Sequence, residues 1–177
     1  MSSESEPRIL INRKDIQATV GRLAAEITRD YRDKHPLLIC VLKGSFVFMA
    51  DLVRLLDFAL EIEFIQLSSY GRGRIVPGEL KVVQGLKTDI RGRDVLVVED
   101  IVDTGRCAAF LMGYLRKKKP ASLKLCTLTD KSYRRQIPVN IDYLGFDVPD
   151  KFLVGYGLDY DEKYRNLPDI CYLEFED

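Results

Sequence analysis

The sequence is poor in histidine and has no surplus of charge of either sign, and these two scarcities exclude several classes of protein. Its 177 residues include one histidine, His35, which excludes an HExxH metal site and disfavours a Ser/His/Asp triad. The 27 basic and 27 acidic side chains cancel to a net charge of zero. A neutral chain lacks the electrostatic footprint of a general nucleic-acid binder, so we expect no nucleic-acid partner.

Paired cysteines and long apolar runs are also missing. The four cysteines show no CxxC spacing, and three of them lie within apolar, strand-like runs: Cys40, Cys126 and Cys171. This pattern predicts reduced thiols in the core. No apolar stretch is long enough to span a bilayer, and residues 1–7 lack the apolar segment of a signal peptide. We therefore expect a cytoplasmic protein without a membrane partner.

The pattern of apolar residues predicts one α/β domain covering residues 1–177. Helical spacing from Arg13 to Tyr31, with Asn12 as the N-cap, predicts the first helix. Unbroken apolar strands alternate with helical patterns further on, at residues 37–42, 62–67, 94–99 and 123–129. Such strands are typical of a parallel sheet flanked by helices on both faces, which binds ligands at the carboxyl ends of its strands.

Two segments depart from this alternation. Residues 68–85 include several glycines and a proline, and this composition predicts a mobile loop. Residues 140–177 contain short strands and turns instead of further helix-strand units, which predicts a different arrangement for the C-terminal part.

The most informative segment places three carboxylates, Glu99, Asp100 and Asp103, where a buried strand gives way to a helix. Carboxylates buried without partners are costly, but sugar hydroxyls can donate to them. The turn amides and the helix N-terminus can hold a phosphate, so the segment indicates a sugar-phosphate ligand. An acidic strand end with Thr104 as a plain helix cap is the structural alternative. The phosphatase motif DxDxT does not fit, because two residues separate Asp100 from Asp103.

The string VLVVEDIVDTGRC resembles the signature of the type I phosphoribosyltransferases, in which an apolar strand precedes E/D-D, two apolar residues, D-T/S-G and usually T. The resemblance implies that Glu99 and Asp100 bind the ribose hydroxyls of 5-phosphoribosyl diphosphate. It implies a 5-phosphate loop formed by Asp103, Thr104, Gly105, Arg106 and Cys107. It also makes Asp103 the general base at the purine N7. Cys107 replaces the usual threonine, and a thiol is a weak donor, so a hydroxyl contact is lost while the helix-end amides remain.

Three further segments resemble the hypoxanthine-guanine branch of that family. Lys43-Gly44 matches its diphosphate loop, where a side chain at the glycine would block backbone amides from the leaving group. Ser69-Tyr70 matches its lid dipeptide. Residues 150–160, with Lys131 upstream, match its purine-binding stretch. The resemblance implies purine contacts from Lys131, Phe152 and Leu153, and diphosphate-side contacts from Asp159 and Arg165.

These resemblances imply a purine-salvage enzyme that joins a 6-oxopurine to 5-phosphoribosyl diphosphate, giving IMP or GMP and diphosphate. They leave the ranking of guanine, hypoxanthine and xanthine open. They imply Mg²⁺ as cofactor, with metal contacts from Glu99, Asp100 and Asp159, and a homo-oligomer, either a dimer or a tetramer. They also imply a small hood built mainly from residues 140–177 and a flexible lid at 68–85.

Other classes of function remain open at this point. A transcriptional regulator on the same fold would need a basic nucleic-acid surface, which neutral charge disfavours and a binding titration would reveal. A catalytically inactive relative would be expected to lose Asp103, which is present. A transferase for adenine or a pyrimidine is the nearest enzyme alternative, and the purine-binding stretch argues against both.

Overall fold

The computed structural model describes residues 6–69 and 80–175, which form two sheets and the helices that pack on them. The elements in chain order are β1 Arg8–Ile11, α1 Arg13–Tyr31, β2 Leu37–Leu42, α2 Phe46–Val53, β3 Glu61–Ser69, β4 Leu80–Gln84, β5 Asp94–Val102, α3 Arg106–Arg116, β6 Ser122–Asp130, a short 3₁₀ helix Ser132–Arg134, β7 Tyr143–Asp147, β8 Phe152–Val154 and β9 Ile170–Leu173.

The larger sheet has six strands in the order β4-β3-β2-β5-β6-β7. The strands from β3 to β7 in this order pair in parallel, and β4 adds to the edge in antiparallel orientation. The carboxyl ends of β3, β2, β5, β6 and β7 therefore lie along one edge of the sheet. The predicted α/β architecture, with a mainly parallel sheet flanked by helices, is confirmed.

Both faces of this sheet are covered, which explains why its strands are apolar without alternation. On β2, Leu38 and Cys40 belong to the core shared with α1 and α2. Leu37 and Ile39 point into the second core, which includes residues of α3. The predicted first helix is also confirmed, since Asn12 Oδ1 accepts from the Asp15 backbone N–H at 3.0 Å.

Strand β5 is longer than the predicted run of residues 94–99 because Ile101 and Val102 also pair with β6, opposite Thr129 and Asp130. The acidic pair at positions 99 and 100 therefore lies inside the strand and is held by the sheet, not by a turn. The sequence pattern had placed these two residues at the end of the strand, where the chain turns toward the helix.

The second sheet is antiparallel, in the order β1-β9-β8, and corrects the expected composition of the hood. Tyr143–Asp147, within the segment expected to form the hood, is β7 of the larger sheet. Arg8–Ile11, which the sequence did not predict as a strand, pairs with β9. Four residues are too few to display a strand period, and β1 depends on a partner near the other end of the chain.

The predicted loop at 68–85 is also corrected at both ends. Residues 68 and 69 complete β3, and Leu80–Gln84 forms β4 on its edge. Leu80 and Val82 are partly buried whereas Lys81 and Val83 are exposed, so β4 has the period of two of a half-buried strand. Residues 70–79 lie outside the described residues.

The predicted place of Cys40, Cys126 and Cys171 in the core is confirmed, since all three are buried, whereas Cys107 is exposed. In the part of the chain that the structure describes, no helix combines the length and the apolar character needed to cross a membrane.

A charged network at the C-terminal end of α1 joins this helix to the sheet. Asp30 Oδ2 accepts hydrogen bonds from Lys124 Nζ at 3.0 Å and from the Tyr143 hydroxyl at 2.5 Å. These bonds, with that of Tyr143 the larger influence, lower the pKa of the Asp30 carboxyl from 3.8 to about 2. The ionised carboxylate is thus favoured in the folded protein.

We expect this network to contribute about 2 kcal/mol of stability above pH 4, lost as the pH falls through about 2, because the folded-state pKa of Asp30 is depressed. Asp30→Asn should lower the free energy of unfolding at pH 7 and flatten its acid dependence. Denaturant titrations between pH 2 and 7 measure both effects. Asp33→Asn, at an exposed position three residues on, is the control; equal stability losses in both variants would contradict this role of Asp30.

Candidate active site

The predicted site residues on β2, β5 and β6 meet at the carboxyl edge of the larger sheet. Lys43 and Gly44 follow β2, and Glu99 and Asp100 lie near the end of the adjacent β5. Lys131 follows β6, the next strand along. Parallel pairing brings these strand ends together, as expected for ligand sites in sheets of this class.

The loop after β2 packs closely against Asp100 of β5 and against Gly157. A Cβ at Gly44 would overlap the Asp100 carboxylate. Gly157, whose φ of +99° favours glycine, lies so near the Gly44 carbonyl that a Cβ there would also clash. A side chain at position 44 would therefore displace the Asp100 carboxylate, which is a second reason for glycine there beyond the access to backbone amides expected from the sequence.

The acidic pair is held in a setting that opposes its ionisation. Burial raises the pKa of Glu99 well above its usual value, and the charge of Asp100 raises it further. Burial also raises the pKa of Asp100, although a hydrogen bond with Glu99 and the charge of Arg165 oppose this rise. A buried carboxylate beside a partly buried one favours ligands that bring hydrogen-bond donors or positive charge.

The segment after Asp103 forms a fixed cradle at the start of α3. The Thr104 carbonyl accepts from the backbone N–H groups of Gln136, at 2.9 Å, and Ile137, at 3.1 Å. Gly105 has a φ of +87° and approaches the Ile137 carbonyl too closely for a side chain. Gly105 provides no side-chain cap, and the Arg106 N–H makes only a long contact of 3.5 Å with Thr104 Oγ1, so the start of α3 can still offer amides to an anion.

Cys107 lies in the first turn of α3 and is exposed, as is Arg106 beside it. Desolvation by neighbouring atoms raises the pKa of the Cys107 thiol, and the charge of Glu99 adds to the rise. The thiol is therefore neutral at physiological pH and offers a weak S–H donor to an anion at the helix end.

Lys131 and Asp103 face each other across the end of β5 and β6. Lys131 is 6% exposed, and its Nζ lies 3.9 Å from Asp103 Oδ2. Burial lowers the pKa of the Lys131 ammonium, and the charge of Asp103 opposes this shift. The Nε of Arg134 lies 2.9 Å from Asp103 Oδ1, in an ion pair without a hydrogen bond. Arg134 also donates to Asp150 at 3.1 Å.

Phe152 begins β8 and retains 41% of its exposure, which is unusual for a large aromatic side chain with a purely structural role in the core. It meets Tyr160 and Phe175 edge-to-face at centroid distances of 5.4 and 5.6 Å. Leu153 is buried, and its backbone pairs with Tyr172 of β9. The ring of Phe152 is therefore held by two aromatic neighbours while remaining accessible.

Arg165 belongs to a cluster of charges beside the loop after β2. Its Nη1 donates to the Gly157 carbonyl at 2.9 Å, and its Nη2 lies 3.0 Å from Asp159 Oδ1. Glu162 contacts Arg165 Nη2 at 3.2 Å and Lys43 Nζ at 3.0 Å. The sequence predicted three residues of this cluster, Lys43, Asp159 and Arg165. It did not predict the fourth, Glu162.

Some predicted site residues are not brought together. Within residues 6–69 and 80–175, no three acidic, histidine or cysteine side chains converge on a possible metal position, so Glu99, Asp100 and Asp159 do not form one cluster. Asp159 pairs with Arg165 near the C-terminus, whereas Glu99 and Asp100 occupy consecutive positions on β5. Ser69 ends β3, and Tyr70 lies outside the described residues.

Sequence reasoning missed two charged residues of the site, Arg134 and Glu162. Arg134 lies one turn of 3₁₀ helix beyond Lys131, which is the only local signal for its position near Asp103. Glu162 contacts Lys43 across 119 residues of sequence, and no local pattern predicts that contact.

The acidic pair and the start of α3 lie together at the carboxyl edge of a mainly parallel sheet, and this arrangement can offer acceptors to sugar hydroxyls and amides to a phosphate. The chain belongs to the phosphoribosyl transferase family, since the model of the phosphoribosyl transferase domain matches residues 10–161.

Similar proteins share nearly the whole chain. A hypoxanthine-guanine phosphoribosyltransferase of Streptococcus thermophilus is 45% identical over 96% of this chain and 94% of its own. The enzyme of that name from Bacillus subtilis is 46% identical over 94% of this chain and 93% of its own. A crystal structure of a hypoxanthine-guanine phosphoribosyltransferase from Bacillus anthracis matches with a TM-score of 0.90 and 41% identity, covering 97% of this chain and all of the other.

Proposed function

We propose that this chain transfers the phosphoribosyl group of 5-phosphoribosyl diphosphate to N9 of a 6-oxopurine, giving IMP or GMP and diphosphate in purine salvage. The observation that carries the proposal is the 3.9 Å separation between the Lys131 ammonium and the Asp103 carboxylate. The O6 and N7 atoms of an oxopurine lie side by side on one edge of the base, so one such pair can address both atoms.

The two side chains complement a free oxopurine that carries its proton on N7. Lys131 has only donors and would bind the O6 acceptor. Asp103 would accept the N7 proton as N9 attacks the ribose carbon, and would hold that proton while the nucleotide forms. The accessible ring of Phe152 would stack on the base, and the Leu153 backbone would read its other edge.

The sugar diphosphate would lie along the same edge of the sheet. Glu99 and Asp100 would accept hydrogen bonds from the ribose hydroxyls, and residues 103–107 would hold the 5-phosphate at the start of α3. Lys43, the Gly44 backbone and Arg165 would neutralise the departing diphosphate. The lid role of Ser69 and Tyr70 stays a proposal that rests on the resemblance of this dipeptide to the lid of the hypoxanthine-guanine branch.

The donor set suits Mg²⁺, which prefers oxygen ligands and is usually held by one or two carboxylates together with substrate oxygens. Glu99 and Asp100 would hold an ion beside the ribose hydroxyls, and Asp159 would separately contact hydrated Mg²⁺ on the diphosphate. The raised pKa values of Glu99 and Asp100 support this assignment, because a cation offsets the cost of two buried charges. When bound, the metal supplies charge compensation to the leaving diphosphate.

We also propose that the protein is a cytoplasmic homo-oligomer, a dimer or a tetramer, whose other partners are its small-molecule substrates. The buried free thiols support a reducing compartment. Phe46 and Leu55 are about half exposed beside one groove on α2, and this apolar surface supports self-association. A transcriptional regulator is not favoured, because relatives that cover 94–96% of this chain carry the names of purine transferases.

The acidic pair provides a test of the sugar-diphosphate half of the proposal. Changing Glu99 to Gln and Asp100 to Asn together should weaken binding of 5-phosphoribosyl diphosphate by roughly 10-fold or more, because hydrogen bonds to charged groups contribute about 1.5–3 kcal/mol. Binding of the free purine base should change less, because the base carries no ribose hydroxyls. Titration calorimetry measures both affinities, and an unchanged affinity for the sugar diphosphate would remove the assigned role.

A further inference from the structure

The carboxylate of Glu162 lies between the two cations of the diphosphate site. Its Oε1 accepts from Lys43 Nζ at 3.0 Å, and its Oε2 accepts from Arg165 Nη2 at 3.2 Å. One oxygen is thus directed to each cation. The contacts join the loop after β2 to a turn near the C-terminus, two segments that the sequence separates by more than a hundred residues.

The turn that carries Glu162 is built to hold it in this position. Asp161 and Glu162 have φ values of +51° and +62°, in the left-handed region that residues other than glycine rarely adopt. The Glu162 backbone N–H donates to Asp159 Oδ2 at 2.9 Å, and Tyr160 pairs with Lys163 across the turn. The surrounding contacts therefore maintain an uncommon backbone conformation that aims this carboxylate at the cations.

The charges of this cluster are already balanced by protein groups. Lys43 has Glu162 as its counter-ion, and Arg165 has both Glu162 and Asp159. The hydrogen bonds from Lys43 and Arg165 lower the pKa of Glu162, so its carboxylate is ionised at neutral pH. A diphosphate that approaches the same two cations must displace this carboxylate or lie beside it, and either arrangement weakens binding through exchange of partners or like-charge repulsion.

We propose that Glu162 is a positioning residue that serves as an internal counter-ion of the diphosphate site: it holds Lys43 and Arg165 in place before substrate binds and competes with diphosphate for them. The inference rests on the proposed function of this site. Both Lys43 and Glu162 are more than half exposed, so their pair is weak enough to exchange. The consequence is a lower affinity for diphosphate and a faster release of this product.

Glu162→Gln tests the proposal because it keeps the shape and removes the charge. We expect it to bind inorganic diphosphate about 3- to 10-fold more tightly than the parent, in calorimetric titrations at fixed magnesium concentration. The matched control is Asp161→Asn, which removes the same charge from the neighbouring exposed position of the same turn and suits a left-handed backbone. Its affinity should stay within about twofold of the parent.

A second pair of variants identifies the cation through which Glu162 acts. In a Lys43→Ala background, the gain from Glu162→Gln should shrink, because one of the two competing contacts is already absent. Equal gains in Glu162→Gln and Asp161→Asn, or weaker binding in Glu162→Gln, would overturn the inference while leaving the proposed function intact. A parent protein that does not bind diphosphate would overturn the proposed function, and the inference with it.

Discussion

Replacing Lys131 with alanine is expected to lower kcat/KM for hypoxanthine or guanine by roughly 10- to 100-fold, because a hydrogen bond from a charged donor contributes about 1.5–3 kcal/mol. Lys131 is 6% exposed, so no bulk water replaces the lost donor cheaply. The affinity for 5-phosphoribosyl diphosphate alone should stay nearly unchanged, since the proposed partner of the ammonium is the base and not the sugar diphosphate. Steady-state kinetics with each substrate varied separately measure both quantities.

The same variant should narrow the preference for oxopurines over adenine. Adenine presents an amino donor where an oxopurine presents O6, so the buried ammonium would face a second donor and lose its partner. Sites built around one such bond reject the wrong partner by about 10⁴-fold or more. Lys131→Met retains most of the side-chain length without the charge, and its preference for oxopurines over adenine should narrow as much as that of Lys131→Ala. A base preference that is unaltered in both variants would contradict the role given to Lys131.

Asp103→Asn is expected to reduce kcat by about 10²–10⁴-fold, the range typical of a positioned general base. The amide keeps the shape of the side chain but cannot take the N7 proton. Substrate affinities should largely survive, so the loss belongs in kcat and not in KM. Single-turnover measurements with saturating purine separate the chemical step from product release.

Asp150→Asn is the matched control for Asp103, because Asp150 also pairs with Arg134 and contributes to the charge around Lys131. We expect this variant to turn over within a few-fold of the parent, since its carboxylate is not the one beside Lys131 Nζ. If Asp103→Asn also retained turnover within about threefold of the parent, the base would have to be another group.

Local sequence patterns predicted the parts of the fold that depend on local periodicity. The spacing of apolar residues identified α1 and its Asn12 cap, and the unbroken run at 37–42 identified β2. Strand β1 was not predicted because its four residues pair with β9 at the other end of the chain, and β4 was not predicted because the glycines and proline of residues 68–85 indicated a loop. The end of β5 was placed too early because the pairing of Ile101 and Val102 with β6 extends the strand, and local periodicity does not show that pairing.

The residues of the candidate site also divide into those that a local sequence pattern predicts and those that it does not. Residues 99–107 form one contiguous string whose chemistry follows from its place between a strand and a helix. Arg134 and Glu162 were not predicted because their contacts, with Asp103 and Lys43 respectively, form only when separate segments of the chain fold together. The three expected metal contacts were grouped by resemblance, whereas the fold gives Asp159 a cationic partner and leaves Glu99 and Asp100 as a separate pair.

The central claim is that this site transfers phosphoribosyl groups to 6-oxopurines and rejects adenine. The most direct measurement incubates the parent protein with 5-phosphoribosyl diphosphate, Mg²⁺ and equal amounts of hypoxanthine, guanine and adenine, and quantifies each nucleotide by chromatography together with released diphosphate. The account predicts IMP and GMP in amounts matching the diphosphate, with adenine used about 10⁴-fold less efficiently. AMP formed at a rate comparable to IMP or GMP, or the absence of any nucleotide, would contradict it.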